Sequence, residues 1–140
     1  MNVVLAVRYA SARLALELAL SEEPGVTVVG AASETEGMLA LARAAQPDLV
    51  LLEWGLPGRP APDVLAESQA FTCPIRFLVL GRDPRLKPRA LQAGACAFVL
   101  VGDPPELLLA ALRQERAALR GEPPLWPTTA FVSESGNALP

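Results

Sequence analysis

The sequence predicts an α/β domain built on a five-stranded parallel sheet, and three observations carry that prediction. Short apolar runs alternate five times with helix-like segments, which a parallel sheet covered by helices accommodates naturally. The third run, Leu49-Val50-Leu51-Leu52, has no polar alternation, the mark of a central strand buried on both faces. It ends in an acid, Glu53, and breaks at once into a glycine- and proline-marked loop, where open α/β sheets gather their ligands. Right-handed crossovers leave few doubly wound orders, and 2-1-3-4-5 is expected, with its switch point between the first and third strands. That order brings the ends of the strands at Val7, Glu53, Gly81 and Val101 around one crevice.

The elements follow in order. Residues 2–7 are the first strand. Residues 9–22, rich in Ala and Leu, are a helix stopped by Pro24-Gly25. Residues 26–31 form the second strand. Ser33-Glu34-Thr35-Glu36 reads as a capping box, with Ser33 capping and Glu36 reaching back, and opens a helix to about Ala45. After the third strand and a proline-rich loop, 57–62, comes a weak helix at about 63–70, with Ala61 or Pro62 near its start. Residues 75–80 are the fourth strand. Residues 84–93 are a helix that Pro88 should disturb. Residues 97–101 are the fifth strand, and Pro104-Pro105 opens a last helix running to about Arg120. The expected organisation is one domain over 1–120 and a proline-rich tail or linker over 121–140.

Composition excludes several function classes. The chain has no histidine, so triads using histidine, histidine metal sites and phosphohistidine chemistry are absent. A net charge of −3 gives no overall basic footprint for nucleic acid. No apolar stretch reaches the roughly 18 residues of a membrane span, and no basic region precedes the first apolar run as in a signal peptide. A cytoplasmic protein is expected. Two cysteines, Cys73 and Cys96, form no disulfide framework, and reduced thiols are the default reading.

Several short motifs, in order and at consistent spacing, resemble one family. They are Val4-Leu5-Ala6, then Pro47-Asp48-Leu49-Val50-Leu51-Leu52 leading to an acid, then Leu56-Pro57-Gly58, then Ala93-Gly94-Ala95, then Phe98. Over roughly residues 2–119 the chain resembles the receiver domain of two-component response regulators, which implies the flavodoxin-like fold. The family's chemistry needs a phosphoacceptor aspartate, an acidic pair holding magnesium, a hydroxyl and a lysine. On this chain the resemblance lays those roles on Glu53, on Val7 and Arg8, on Gly81, and on Val101. The only lysine, Lys87, lies in the fourth helix. The resemblance therefore implies a degenerate receiver with no phosphorylation switch, no bound metal or cofactor and no enzymatic activity. Phe98 falls at the family's aromatic-switch position, and without the hydroxyl a fixed core phenylalanine is expected.

The residues leave some readings open. Glu53 is either a mimic of a phosphorylated aspartate or a drifted acid solvating a strand end, and the missing lysine favours the second. Arg8 either pairs with Glu53 across the switch point, as a guanidinium suits a carboxylate, or points into water. Leu14, Leu18, Leu107 and Leu109 are surplus to the core faces of the first and last helices. In the expected order those helices lie side by side, so the four leucines predict a homodimer. A covering tail that uses Leu125 and Trp126 is the alternative.

The function expected is a phosphorylation-independent signalling and protein-interaction module with an unknown protein partner. The chief rival is the receiver half of a DNA-binding transcription regulator whose effector lies outside this chain. A small flavodoxin-like enzyme or nucleotide binder ranks last, because no phosphate-cradling glycine loop follows a strand.

Overall fold

Residues Val3–Ala6 and Leu49–Leu52 are wholly withdrawn from solvent, and the rest of the sheet is arranged around them. The computed structural model describes residues 1–71 and 74–121. Five strands, β1 (Asn2–Ala6), β2 (Thr27–Ala32), β3 (Leu49–Glu53), β4 (Arg76–Gly81) and β5 (Ala97–Leu100), form one sheet in the order β2-β1-β3-β4-β5, all pairs parallel. This is the doubly wound order expected from the strand pattern. The inner strands β1, β3 and β4 are almost uniformly buried, whereas the edge strand β2 alternates and β5 is half-buried throughout. Continuous apolar runs thus mark the centre of the sheet, as burial on two faces requires.

The chain divides into two compact units, residues 1–104 and 105–140. The first holds the sheet and four α-helices, α1 (Ala10–Ser21), α2 (Thr35–Ala45), α3 (Ala61–Ser68) and α4 (Lys87–Gln92). Of the second, the described part is α5 (Pro105–Leu119) and the two residues after it. The tail expected over 121–140 lies, beyond Gly121, outside the described residues, as does Cys73. In the first unit, Val4, Ala6, Val50, Leu52 and Phe77 line one face of the sheet. They pack with Met38, Leu39 and Ala42 of α2 and Val64 and Leu65 of α3. Those alternate positions share a face because strand side chains have a period of two.

Several boundaries move, each for a local reason. The cap of α2 is Glu34, not Ser33: its carboxylate accepts from the amides of Glu36 at 2.9 Å and Gly37 at 2.6 Å. Ser33 stands one residue too early to reach them, and Glu36 turns away to Arg59. Helix α3 begins at Ala61, two residues ahead of expectation, with Pro62 in its first turn where a missing amide costs nothing. The segment expected as one helix over 84–93 is a 3₁₀ turn, Pro84–Leu86, followed by α4, in which Pro88 again occupies the first turn. The proline that was expected to disturb this helix instead sits where a helix accepts it. Strand β5 stops at Leu100, leaving Val101 beyond it.

A network of ions ties the β3–α3 loop down. Arg59 pairs with Glu36 at 3.1 Å and with Glu67 at 2.6 Å, and Arg43 of α2 also meets Glu67. The hydrogen bond from Arg59 holds the Glu67 carboxyl below its ordinary value, and Glu67 raises Arg59 in return. Buried Thr35 accepts from the Arg59 amide at 2.9 Å and donates its own amide to Pro57. Gly58 sits at φ +111°, and a side chain there would strike the Thr35 hydroxyl, so only glycine fits this turn.

Candidate functional site

The register aligns the carboxyl ends of the strands. Ala6 is level with Leu52, Glu53 with Leu80, and Gly81 with Leu100, so Val7, Glu53, Gly81 and Val101 follow one another along a single edge. The expected crevice residues therefore do share that edge of the sheet.

Glu53 is half-buried at the end of β3 and accepts from the backbone amide of Arg8 at 2.8 Å. The guanidinium of Arg8 lies instead over the Tyr9 ring, 5.3 Å from its centroid. Of the two open readings of Arg8, the side-chain pair with Glu53 is not formed: the residue is exposed and meets Glu53 through its main chain. A second arginine, unremarked in the sequence, organises the same loop. Arg13 of α1 donates one Nη1 to the carbonyls of Val7 at 2.7 Å and Arg8 at 3.0 Å. The Val7 side chain is buried, so it turns hydrocarbon inward.

Across the sheet, the amide of Val101 donates to the carbonyl of Gly81 at 2.7 Å while its side chain stays exposed. Gly81 is buried beneath the Phe98 ring: a Cβ built on it would stand 2.7 Å from both Cε1 and Cζ of that ring. Phe98, like Trp54, also packs against the cluster of Val79, Ala90 and Ala95. The aromatic thus occupies the volume that a side chain at 81 would need. Trp54, just past Glu53, carries the Arg89 guanidinium over its ring at 5.6 Å.

Of the leucines expected at a surface, Leu14, Leu18 and Leu107 are exposed by half or more, while Leu109 is partly buried, contrary to expectation. Leu20, Leu108 and Leu112 are the buried counterparts on α1 and α5. Among the described residues no group of three acids, cysteines or histidines is gathered, and no helix is long and apolar enough to cross a membrane.

No family model matches the chain. Individual relatives do. It is 38% identical over 113 residues, 79% of its length, to a Pseudomonas aeruginosa protein named as a transcriptional regulator. It is 33% identical over 107 residues to the nitrate/nitrite response regulator NarL of Escherichia coli. Among solved structures, the signal receiver domain of the response regulator NarL from Mycobacterium tuberculosis is 31% identical, with a TM-score of 0.72, and the match covers 82% of this chain and 95% of that domain. The chain belongs to the receiver-domain family of response regulators. A LuxR-family response regulator from Aurantimonas, 22% identical with a TM-score of 0.76, shares the receiver fold over 96% of each chain. The receiver domain spans about half the length of the curated relatives it matches, 54% of the Pseudomonas protein and 50% of NarL.

Proposed function

We propose that this receiver domain works as a phosphorylation-independent signalling module that acts by binding other proteins. The observation that carries the reading is the set of groups around Glu53. Magnesium requires oxygen ligands, mostly carboxylates. Here the positions after β1 supply a buried hydrocarbon, Val7, and a cation, Arg8, and the one carboxylate is already bonded to an amide. These residues do not fit the ion. Nor do they fit the rest of the phosphoryl chemistry. The position for a hydroxyl is Gly81, filled over by Phe98, and the position for a lysine is Val101. Without a cation, a carboxylate and an incoming phosphoryl group repel each other.

Incubation with acetyl phosphate or beryllofluoride plus magnesium, followed by intact-mass measurement, tests this directly. The mass is expected to stay unchanged. A magnesium-dependent gain of one phosphate on Glu53 overturns the reading.

A second reading concerns the natural partner in cis. The chain spans 54% of a relative named as a transcriptional regulator and 50% of a nitrate/nitrite response regulator, which supports a role as the receiver half of such a regulator, with DNA binding delegated to an effector domain. Homodimerisation is part of the same proposal. Leu14 and Leu18, one turn apart on α1, and Leu107 on α5 are all exposed, and burying them against a second copy offers a closed two-fold assembly. Light scattering on the full chain, on a chain ending at Arg120 and on Leu107→Glu checks it. A monomer at high concentration in both lengths removes the dimer, and a dimer only after truncation assigns the cover to the tail.

A further inference from the structure

The sheet has two free edges, β2 and β5, and β2 is the longer, six residues against four. An edge strand presents a row of main-chain donors and acceptors to solvent. Two bonds fix their direction here: the Thr27 amide donates to the Met1 carbonyl at 2.9 Å, and the Ala32 carbonyl accepts from the Val7 amide at 3.1 Å. The main chain of residues 27 and 32 therefore faces β1. Successive residues of a strand alternate sides, so Val28 and Ala31 turn their amides and carbonyls outward.

Edges of this kind are commonly blunted by charge or proline. Residues 26–33 contain neither. The strand does carry a bulge: Val3 is level with Val28 and Val4 with Gly30, so Val29 is the extra residue, and it is 39% exposed. Gly30, Ala31 and Ala32 have little or no side chain, which leaves the backbone open to close approach. Along the edge runs an open trough of about 580 Å³, lined by Glu17 and Ser21 of α1 and by residues 26–31. A trough suits a chain lying along it better than a compact ligand, which calls for an enclosed cleft.

The surroundings are acidic. Residues 14–42 carry five acids and no cation, so in a chain of net −3 all the other residues together carry +2. Glu34 is engaged with the α2 amides and Glu36 with Arg59. The amino terminus, bonded to the Gly25 carbonyl at 2.6 Å, offsets one charge at the entry of the strand. Glu17 lines the trough, half-buried, with no ion-pair partner among the described residues.

From this we infer that the free edge of β2 is a docking strip for an extended, basic segment of a partner protein, which adds a sixth strand to the sheet. This rests on, and deepens, the proposed reading that the domain acts by binding other proteins. The partner's chemistry follows from the strip. Its main chain meets the outward groups of Val28 and Ala31, an apolar side chain covers Val29, and a lysine or arginine reaches Glu17. A second copy fits less well, because pairing β2 with β2 brings two acidic regions together. The chain's own residues 122–140 fit no better, since they carry two acids and no cation.

The probe is a synthetic peptide of about eight residues, lysine alternating with valine and threonine, long enough to span the six of β2. It is titrated into the full chain beside its glutamate-for-lysine counterpart and a version N-methylated throughout, which keeps every side chain but cannot pair with an edge. Calorimetry reads the affinity and hydrogen exchange the position. The basic peptide is expected to bind and to protect amides within residues 27–32, and the other two are not. Glu17→Lys should weaken binding about tenfold or more. Ala31→Pro should do the same, since it removes an outward amide where an edge strand tolerates proline, and circular dichroism confirms both folds. Unaltered affinity in Glu17→Lys or in folded Ala31→Pro overturns the inference, as does equal binding of either control peptide or protection that falls outside β2. So does protection of the outward amides in the free chain: if it rises with concentration a second copy holds the edge, and if it vanishes in a chain ending at Arg120 the tail does. Intact mass after acetyl phosphate and magnesium is measured alongside. Phosphorylation of Glu53 defeats the phosphorylation-independent reading however the titration ends, whereas a failed titration on unmodified protein defeats the docking edge alone.

Discussion

A methyl group added at residue 81 should change the sign of its effect according to what stands at residue 98. Gly81 lies in β4 with a backbone any residue adopts, since it is not among the glycines with positive φ. Gly→Ala at such a site stabilises by about 0.4–1 kcal/mol, by restricting the unfolded chain. Sterics oppose this. The new Cβ would stand 2.7 Å from two carbons of the Phe98 ring, where carbon contacts settle at about 3.5–4.0 Å. The ring must retreat by about 1 Å within a packed cluster, and overpacking of that size costs about 1–3 kcal/mol. The expected balance for Gly81→Ala is a destabilisation of up to about 2.5 kcal/mol. In a Phe98→Ala background the obstruction is gone, and Leu86 Cδ1, at 3.4 Å, remains an ordinary contact. There the same substitution should stabilise by about 0.4–1 kcal/mol. Urea unfolding of the four proteins gives the coupling directly. Equal effects in both backgrounds would show that Phe98 does not fill the space over Gly81, and with that result the fixed-aromatic account fails.

Three further outcomes are expected. Glu34→Ala should cost about 1 kcal/mol as a lost helix cap, while Ser33→Ala should stay within about 0.5 kcal/mol; chemical denaturation that reverses this order restores the capping box. Glu53→Ala should destabilise by about 1 kcal/mol through loss of a bond to the Arg8 amide, and Arg8→Gln, which keeps that amide, should be nearly silent. The double substitution should therefore be additive, because no side-chain pair links the two residues. The Glu67 carboxyl, bonded first to Arg59 and then to Arg43, titrates below its ordinary 4.5 in the folded protein. Its contribution is thus fully present above that value and is lost as pH falls through the lower folded one. Glu67→Gln should flatten the acid limb of the stability–pH curve, and an unchanged limb would show the network contributes nothing.

The features legible in the sequence were those that depend on runs and spacing. Leu49–Leu52 announced a central strand because burial on both faces leaves no polar alternation, and the order of strands followed from handedness. What the sequence withheld depends on which of two nearby groups wins. Ser33 is the better cap by residue type, yet the helix starts one residue later and leaves that place to Glu34, whose longer carboxylate reaches the amides. Arg8 was placed beside Glu53, but the flat face of Tyr9 competes for its guanidinium, and cation–π contact of about 0.5–1 kcal/mol suffices to draw an exposed side chain away. Arg59 was missed entirely, since nothing in a proline-rich loop says which of several acids its long side chain will find. The packing of Phe98 on Gly81 was half legible. A fixed aromatic was expected, but finding its seat required the β4–β5 register, in which Phe98 is level with Val79 and so diagonal to Gly81 on one face.

That division explains how a receiver fold accommodates the strand-end groups on which the proposed function rests. The residues that define the sheet, Val4, Leu5, Val50, Leu51, Leu78 and Val79, are wholly buried and constrained by volume. The residues at the strand ends answer to solvent and to ligands. Val101 and Arg8 can be exchanged for lysine or aspartate without opening a core cavity, because their side chains are exposed. The exception is Gly81, where the Phe98 ring occupies the volume that a side chain would need. Reinstating the family's groups would accordingly be cheap at exposed Arg8 and Val101 and at half-buried Glu53, costly at buried Val7, and obstructed at Gly81. A chain carrying Val7→Asp, Arg8→Asp, Glu53→Asp and Val101→Lys should regain magnesium binding, read by Trp54 emission, before it regains any response of Phe98. Adding Gly81→Thr should then displace the ring, at a cost of about 1–3 kcal/mol of overpacking. If the four-site variant binds no magnesium, the edge departs from the family in backbone geometry and not only in side chains.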